Sequence, residues 1–271
     1  MKERCRRLRR RGYSIGHIAS ELKLSESTVH WHVKDIVLTV DQRERLRRQK
    51  RMLMAHVNAR RRGRPLHPVV FNRPAWSKDL VHLIAHLSFD GRVDRYGCYY
   101  YSRNYAQVSH VKEALEALLE IAPKLRQRSN GMWVVSYCNV AVADWLHQRE
   151  SELLGVIRSR PAWRLQWLQS FFDDEGHMHY VRSHRRVRAS QKDRSVLRLA
   201  KSFLEEIGMR CRVDHKARAV EVTGRHNLEA FRRHINFSNG LCINGQRKNG
   251  HWHQDVSKRE LLNLALSSYR S

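Results

Sequence analysis

Leu168-Gln169-Ser170-Phe171-Phe172-Asp173-Asp174-Glu175-Gly176 decides how this chain is read. Apolar residues fill the side that a helix would bury. Three carboxylates and a glycine then stop the helix. An earlier stretch, Leu83-Ile84-Ala85-His86-Leu87-Ser88-Phe89-Asp90-Gly91, does something similar. Two apolar helices, each ending acid-Gly, suggest two acids brought to one place.

The surroundings of the two stretches also repeat, over 77–160 and 161–271. In the second copy the spacing predicts a helix over 162–174, a hairpin over 177–183 and 185–191, and a helix over 194–207 stopped by Gly208. A second hairpin over 210–215 and 219–223 and a helix over 226–236 follow. In the first copy, helix 77–89 leads to hairpin 92–95 and 98–103. Helix 108–121, stopped by Pro123, precedes a hairpin over 124–128 and 132–137 turned by Asn130-Gly131. Helix 140–156 closes the copy. The predicted class is α+β, with the order αββαββα occurring twice. Residues 239–253 read as a loop and 257–268 as a terminal helix.

Lys plus Arg is 52 against 26 Asp plus Glu, a net charge of +26 and a pI near 10.8. Such an excess points to a polyanionic partner, because neutralised phosphates release counterions. A cationic membrane binder is the competing reading, but no apolar run approaches the roughly 18 residues of a spanning helix. Basic residues at the start lack the apolar core of a secretory signal. The five cysteines are scattered without a CxxC pair, against a disulfide framework or zinc knuckle and for a reducing, cytoplasmic setting. His177, His179 and His184 read as solvated or phosphate-facing rather than as metal ligands.

Residues 1–40 form a separate module. Ile15, Ile18, Ala19 and Leu22 make a helical stripe behind a Ser14 N-cap. Ser25 caps a second helix that buries Val29, Val33 and Ile36. Ser27, Thr28, His30, Trp31 and Lys34 are left facing outward. Two short helices joined by a three-residue turn make a helix-turn-helix, whose second helix would enter a major groove. The run Ile18–Val33 resembles the helix-turn-helix of response-regulator and resolvase-type proteins. It departs at Lys23, where that family usually has Gly in the turn.

A basic arm spans 41–76. Residues 1–75 hold twenty Lys/Arg against six Asp/Glu. A basic helix over 41–60 is broken by Arg60-Arg61-Arg62-Gly63-Arg64-Pro65. This core resembles an AT-hook, which would place Arg62 and Arg64 in a narrow minor groove; a solvated linker is the plainer reading.

Both nonapeptides, the doubled element order and Ser190-Gln191-Lys192-Asp193 together resemble the LAGLIDADG homing endonucleases in their single-chain, two-copy form. The resemblance implies a pseudo-symmetric saddle over DNA. It implies that Asp90 and Glu175 are catalytic and hold Mg²⁺ or another divalent metal, and that Gln191 sits near the attacking water. Hard oxygen ligands suit such ions. Arg103 takes the place of Gln191 in the first copy, so the site would be asymmetric. Ala85 and Ser170 would pack between the two helices. Asp174 is left as a supporting or ordinary helix-end residue. The family often adds a lysine, for which Arg158, Arg160, Arg247 and Lys248 are weak candidates.

Side chains alternate across a sheet. Arg182, His184, Arg186, Arg188 and Ser190 share one parity, and Val187 and Ala189 the other. Arg210 with Arg212, and Lys124 with Arg126 and Arg128, repeat the theme and with Arg103 would face DNA. The leading expectation is a monomeric, site-specific endonuclease that makes double-strand breaks in duplex DNA. The ends lack splicing-type residues, against an intact intein. The alternatives are a DNA-binding regulator that lost cutting and a maturase acting on intron RNA.

Overall fold

The computed structural model describes residues 1–61, 70–181, 184–243, 252 and 254–269, with the side chains of 56–61 left out. The chain divides into two compact units, Met1–Pro68 and Val69–Ser271.

The first unit is helical. Helix α1 (Lys2–Arg10) packs on α2 (Ile15–Leu22) and α3 (Glu26–Val33), and α4 (Val40–Arg61) follows. Ser14 and Ser25 cap α2 and α3 as their sequence predicts, accepting from the backbone N–H of His17 and Thr28 at 3.1 Å each. Lys23 ends α2 in the left-handed region at φ 53°, so the turn that usually takes Gly forms with a lysine. Helix α1 has no sequence signal, because seven of its nine residues are charged. Cys5 nevertheless completes a small core with Ile18, Ala19, Val29 and Val33. Arg6 pairs with Asp35 at 2.6 Å and ties α1 to the end of α3.

The second unit is α+β. Its first copy runs α5 (Lys78–Phe89), β1 (Gly91–Asp94), β2 (Gly97–Ser102), α6 (Tyr105–Leu119), β3 (Lys124–Gln127), β4 (Trp133–Tyr137) and α7 (Val140–Ser159). The second runs α8 (Pro161–Glu175), β5 (Gly176–Val181), β6 (His184–Ser190), α9 (Arg194–Glu206), β7 (Cys211–Asp214), β8 (Ala219–Thr223) and α10 (Arg225–His234), with α11 (Lys258–Ser267) appended. Each copy forms a four-stranded antiparallel sheet, in the orders β1-β2-β4-β3 and β5-β6-β8-β7. Helix α6 stops earlier than Pro123 would dictate. Glu120 takes a left-handed C-cap at φ 54° and ends it.

Strand parity builds the core. Val187, Ala189, Val220 and Val222 are fully buried on the helix side of the second sheet. Burying each Val on that side contributes roughly 1.5–3 kcal/mol. Helices α5 and α8 pack against each other. Ala85 is fully buried, and the Ser170 hydroxyl donates to the His82 carbonyl of the opposite helix at 3.0 Å. The glycine after each acid has a steric cause. A Cβ on Gly91 would lie 2.5 Å from Leu87 Cα, and one on Gly176 would lie 2.3 Å from the Phe172 carbonyl oxygen. Each strand therefore leaves its helix by folding straight back against the last turn.

Candidate active site at the paired helix ends

Asp90 is the C-cap of α5 and Glu175 the last residue of α8. The pairing of these two helices brings both acids to the wall of one cavity of about 420 Å³. Arg103, Asp174 and Lys258 line the same cavity. Gln191, one residue beyond β6, donates from Nε2 to Glu175 Oε1 at 2.9 Å. The first copy places Arg103 directly after β2, so the two halves of the site differ as their sequences do.

Burial raises both acids. Asp90 is pushed up to about 7, with a further push from the Asp174 charge. Glu175 is pushed up to about 7 by burial and then by Asp90 and Asp174, against the opposing Gln191 hydrogen bond. Two half-buried carboxylates on one cavity wall, one raising the other, form a hard-oxygen donor set. A divalent cation would relieve their repulsion, so these residues fit such an ion.

Asp174 has a separate role that the sequence did not show. Its carboxyl has no exposed side-chain surface. It accepts from the Tyr100 hydroxyl at 2.6 Å and from Gln107 Nε2. Burial pushes it up to about 8, against the opposing hydrogen bond from Tyr100. His86 Nδ1 lies 2.8 and 3.0 Å from its two oxygens, and His86 Nε2 lies 3.0 Å from His82 Nε2. Burial lowers His82 to about 3 and His86 to about 4, so both rings are neutral. A chain of contacts therefore runs from the Asp174 carboxyl through His86 to His82, which also bonds the Gln166 backbone. Asp174 thus joins α5, β2 and α6 of the first copy to α8 of the second.

Asp173 turns the other way. Its carboxylate accepts from the Ser238 N–H at 2.9 Å and the Ser238 hydroxyl at 2.6 Å. Its backbone carbonyl accepts from Lys258 Nζ at 2.8 Å. Among the described residues, His82, His86 and Asp173 bring three ligand-type atoms within 4.8 Å of one another. The hydrogen bonds above already engage all three. Lys258 is the buried cation of the site, its pKa lowered by burial. It stands at the start of α11, an element of the second copy with no counterpart in the first, where neither repeat nor spacing could find it. Arg158 and Arg160 do not line the cavity, and Arg247 and Lys248 lie outside the described residues.

The expected nucleic-acid residues fall into three groups. On α3, Ser27, Thr28, His30, Trp31 and Lys34 are exposed. The Ser27 and Thr28 hydroxyls lie 2.8 and 2.7 Å from Ser25 Oγ in the cap, and Lys34 Nζ stands 4.3 Å over the Trp31 ring. In the first sheet Arg126 and Arg128 are exposed, Arg128 lying 5.0 Å over Tyr101. In the second sheet His184 is exposed, while Arg186, Arg188 and Arg212 converge on Glu221. Arg210 precedes β7, its backbone N–H bonded to Asn227. Arg62, Arg64 and Arg182 lie outside the described residues. Glu221 was the missed member. It is the one acid in Ala-Val-Glu-Val-Thr, at the parity opposite the two valines.

The chain is similar to solved LAGLIDADG structures. Homing endonuclease I-DmoI in complex with DNA and Mn is 14% identical over 60% of this chain and 98% of that one, with a TM-score of 0.45. The N-terminal LAGLIDADG domain of DUF199/WhiA is 15% identical over 63% of this chain and 89% of that one, at 0.47. Full-length DUF199/WhiA from Thermatoga maritima is 12% identical over 63% of this chain and 60% of that one, also at 0.47. No protein-family model and no curated protein matches the chain. No helix among the described residues is long and apolar enough to cross a membrane.

Proposed function

We propose that this chain is a site-specific DNA endonuclease of homing type that makes a metal-dependent double-strand break. The observation that carries this reading is the meeting of Asp90 and Glu175, one from each copy, in a single cavity. Asp90 and Glu175 would hold Mg²⁺ or another divalent ion, which when bound activates water and stabilises the leaving oxygen. Gln191 fixes the orientation of Glu175 through its 2.9 Å hydrogen bond. Asp174, bonded to Tyr100, Gln107 and His86, holds the end of α8 against the first copy beside Asp90. Lys258 supplies positive charge at the same wall. The basic strand faces hold the duplex, and residues 1–40 and the arm 41–76 add contacts beside the cut. The copies then span 77–160 and 161–271, and the protein acts as a monomer on cytoplasmic DNA.

A second reading is a DNA-binding regulator that does not cut. The exposed face of α3, with Trp31 66% exposed, favours it. Incubation with a library of duplex sites, with and without Mg²⁺, separates the two. The endonuclease gives paired ends only with metal, and Asp90→Asn or Glu175→Gln abolishes them while binding remains. Selective binding with no cutting under any divalent ion supports the regulator.

A further inference from the structure

The centre of the second sheet's open face is a carboxylate. Glu221 on β8 stands directly opposite Arg188 on β6 and Arg212 on β7. These three share the face opposite Val220 and Val222. Arg186 approaches from one pair along β6. Its Nη1 donates to Glu221 Oε1 at 3.1 Å, and Arg188 Nη1 lies 3.6 Å from the same oxygen. Arg212 donates to Oε2 from Nε at 2.9 Å and from Nη2 at 2.8 Å. The carboxylate is 1% exposed although it points away from the core, whereas the Arg212 side chain is 69% exposed. The guanidinium groups therefore form its cover, Arg212 the most open and Arg186 and Arg188 partly exposed beside it.

That arrangement is unusual for a surface meant only to attract phosphate. An acid in the middle of a basic face subtracts charge and weakens sequence-independent affinity. It also fixes geometry. A guanidinium has five N–H donors in a rigid fork, and a carboxylate that takes one edge leaves another aimed outward. An arginine so held loses less entropy on docking and offers two parallel donors to a guanine edge. A free arginine swings to the nearest phosphate instead.

We propose that Glu221 is a positioning residue for sequence specificity, holding Arg186, Arg188 and Arg212 with their free donor edges toward base edges of a DNA duplex. The proposal rests on the reading of the sheets as a DNA-facing surface. Buried beneath its three partners, Glu221 does not itself touch a base. It trades general affinity for discrimination.

The test uses the full-length protein in Ca²⁺ or without metal, so that binding is read without cutting. A preferred duplex is selected from a random library, and its affinity is compared with that of a scrambled duplex across salt concentrations. Glu221→Gln keeps the side-chain shape and removes the charge. It is expected to tighten binding to the scrambled duplex, to steepen the salt dependence by up to about one phosphate contact, and to cut the specificity ratio about 10-fold or more. Arg212→Gln is expected to lose discrimination while weakening, not tightening, scrambled binding. A folded Glu221→Gln protein with an unchanged specificity ratio overturns the role of Glu221 and leaves the DNA reading intact. A wild-type protein that binds no duplex overturns both.

Discussion

The two sheets share strand order and antiparallel pairing, yet their open faces carry different chemistry. The second is ionic and centred on Glu221. The first is aromatic. Tyr99 and Tyr101 lie 6.5 Å apart with their planes 13° from parallel, Arg92 stands 5.2 Å over Tyr99, and Arg128 stands 5.0 Å over Tyr101. One face gathers three arginines on a single buried carboxylate, while the other lays Arg92 and Arg128 over tyrosine rings, Arg92 also pairing with Asp94 at 3.0 Å. The helix-side parity, which fills the core, is apolar in both. The outward parity, which nothing in the core constrains, has diverged. The paired helices show the same division. Phe89, the residue before Asp90, packs on Trp167 and Phe171 at 5.5 and 5.4 Å, whereas its counterpart Asp174 is a buried polar hub.

That helix comparison breaks most visibly at Asp174. Asp174→Ala strands the buried donors of Tyr100 and Gln107 and is expected to cost about 3 kcal/mol or more in a denaturant titration. Asp174→Asn, neutral and of the same shape, should cost less than half as much. Phe89→Ala should fall between them, because it loses packing but leaves no buried polar group unpaired.

The acids also make stability depend on pH, with a sign that can be checked. Asp90 and Glu175 titrate near 7 in the fold, above their ordinary 3.8 and 4.5, so folding favours their protonated forms. The stability they contribute is full below about pH 4 and is lost as pH rises through 7. His82 and His86 are lowered, so their contribution is present above pH 6.5 and lost as pH falls toward 4 and 3. Between pH 6.5 and 8, metal-free wild type should lose thermal stability, and an Asp90→Asn/Glu175→Gln double variant should lose less. Mg²⁺ should stabilise wild type more at pH 8 than at pH 6.5. An equal pH slope in the two proteins contradicts this account of the acids.

Smaller effects sharpen the contrast of the faces. Tyr101→Ala, which removes the ring under Arg128, should weaken duplex binding by about 1 kcal/mol for preferred and scrambled sequences alike. Glu221→Gln should instead change their ratio. Ser25→Ala should cost about 1 kcal/mol in the unfolding of the first unit and leave that of the second unchanged.

Much of this was legible because it rests on periodicity. The paired nonapeptides, the doubled element order, the caps Ser14 and Ser25, and the buried parity of Val187 and Ala189 each follow from a local pattern with a physical cause. The resemblance marked Gln191 as a site residue, but its contact with Glu175 came only with the structure. What escaped depends on contacts between elements remote in sequence. Asp174 looked like a helix-end acid because Tyr100, Gln107 and His86 come from three other elements. Lys258 has no counterpart in the first copy and enters the site only through the packing of α11. Glu221 could have been found by parity, since an outward acid facing two arginine-bearing strands is visible in the sequence once the pairing is known. Helix α1 left no trace, because its packing rests on Cys5 among arginines.

The central claim is that two unlike copies build one site. Once a cleavable duplex is found, single-turnover cleavage of each strand by Asp90→Asn and by Glu175→Gln tests it most directly. The account predicts that either variant slows cutting of both strands, on the order of 100- to 1000-fold, with binding retained. Loss of one strand's cleavage in each variant, with the other strand cut at the wild-type rate, would contradict it.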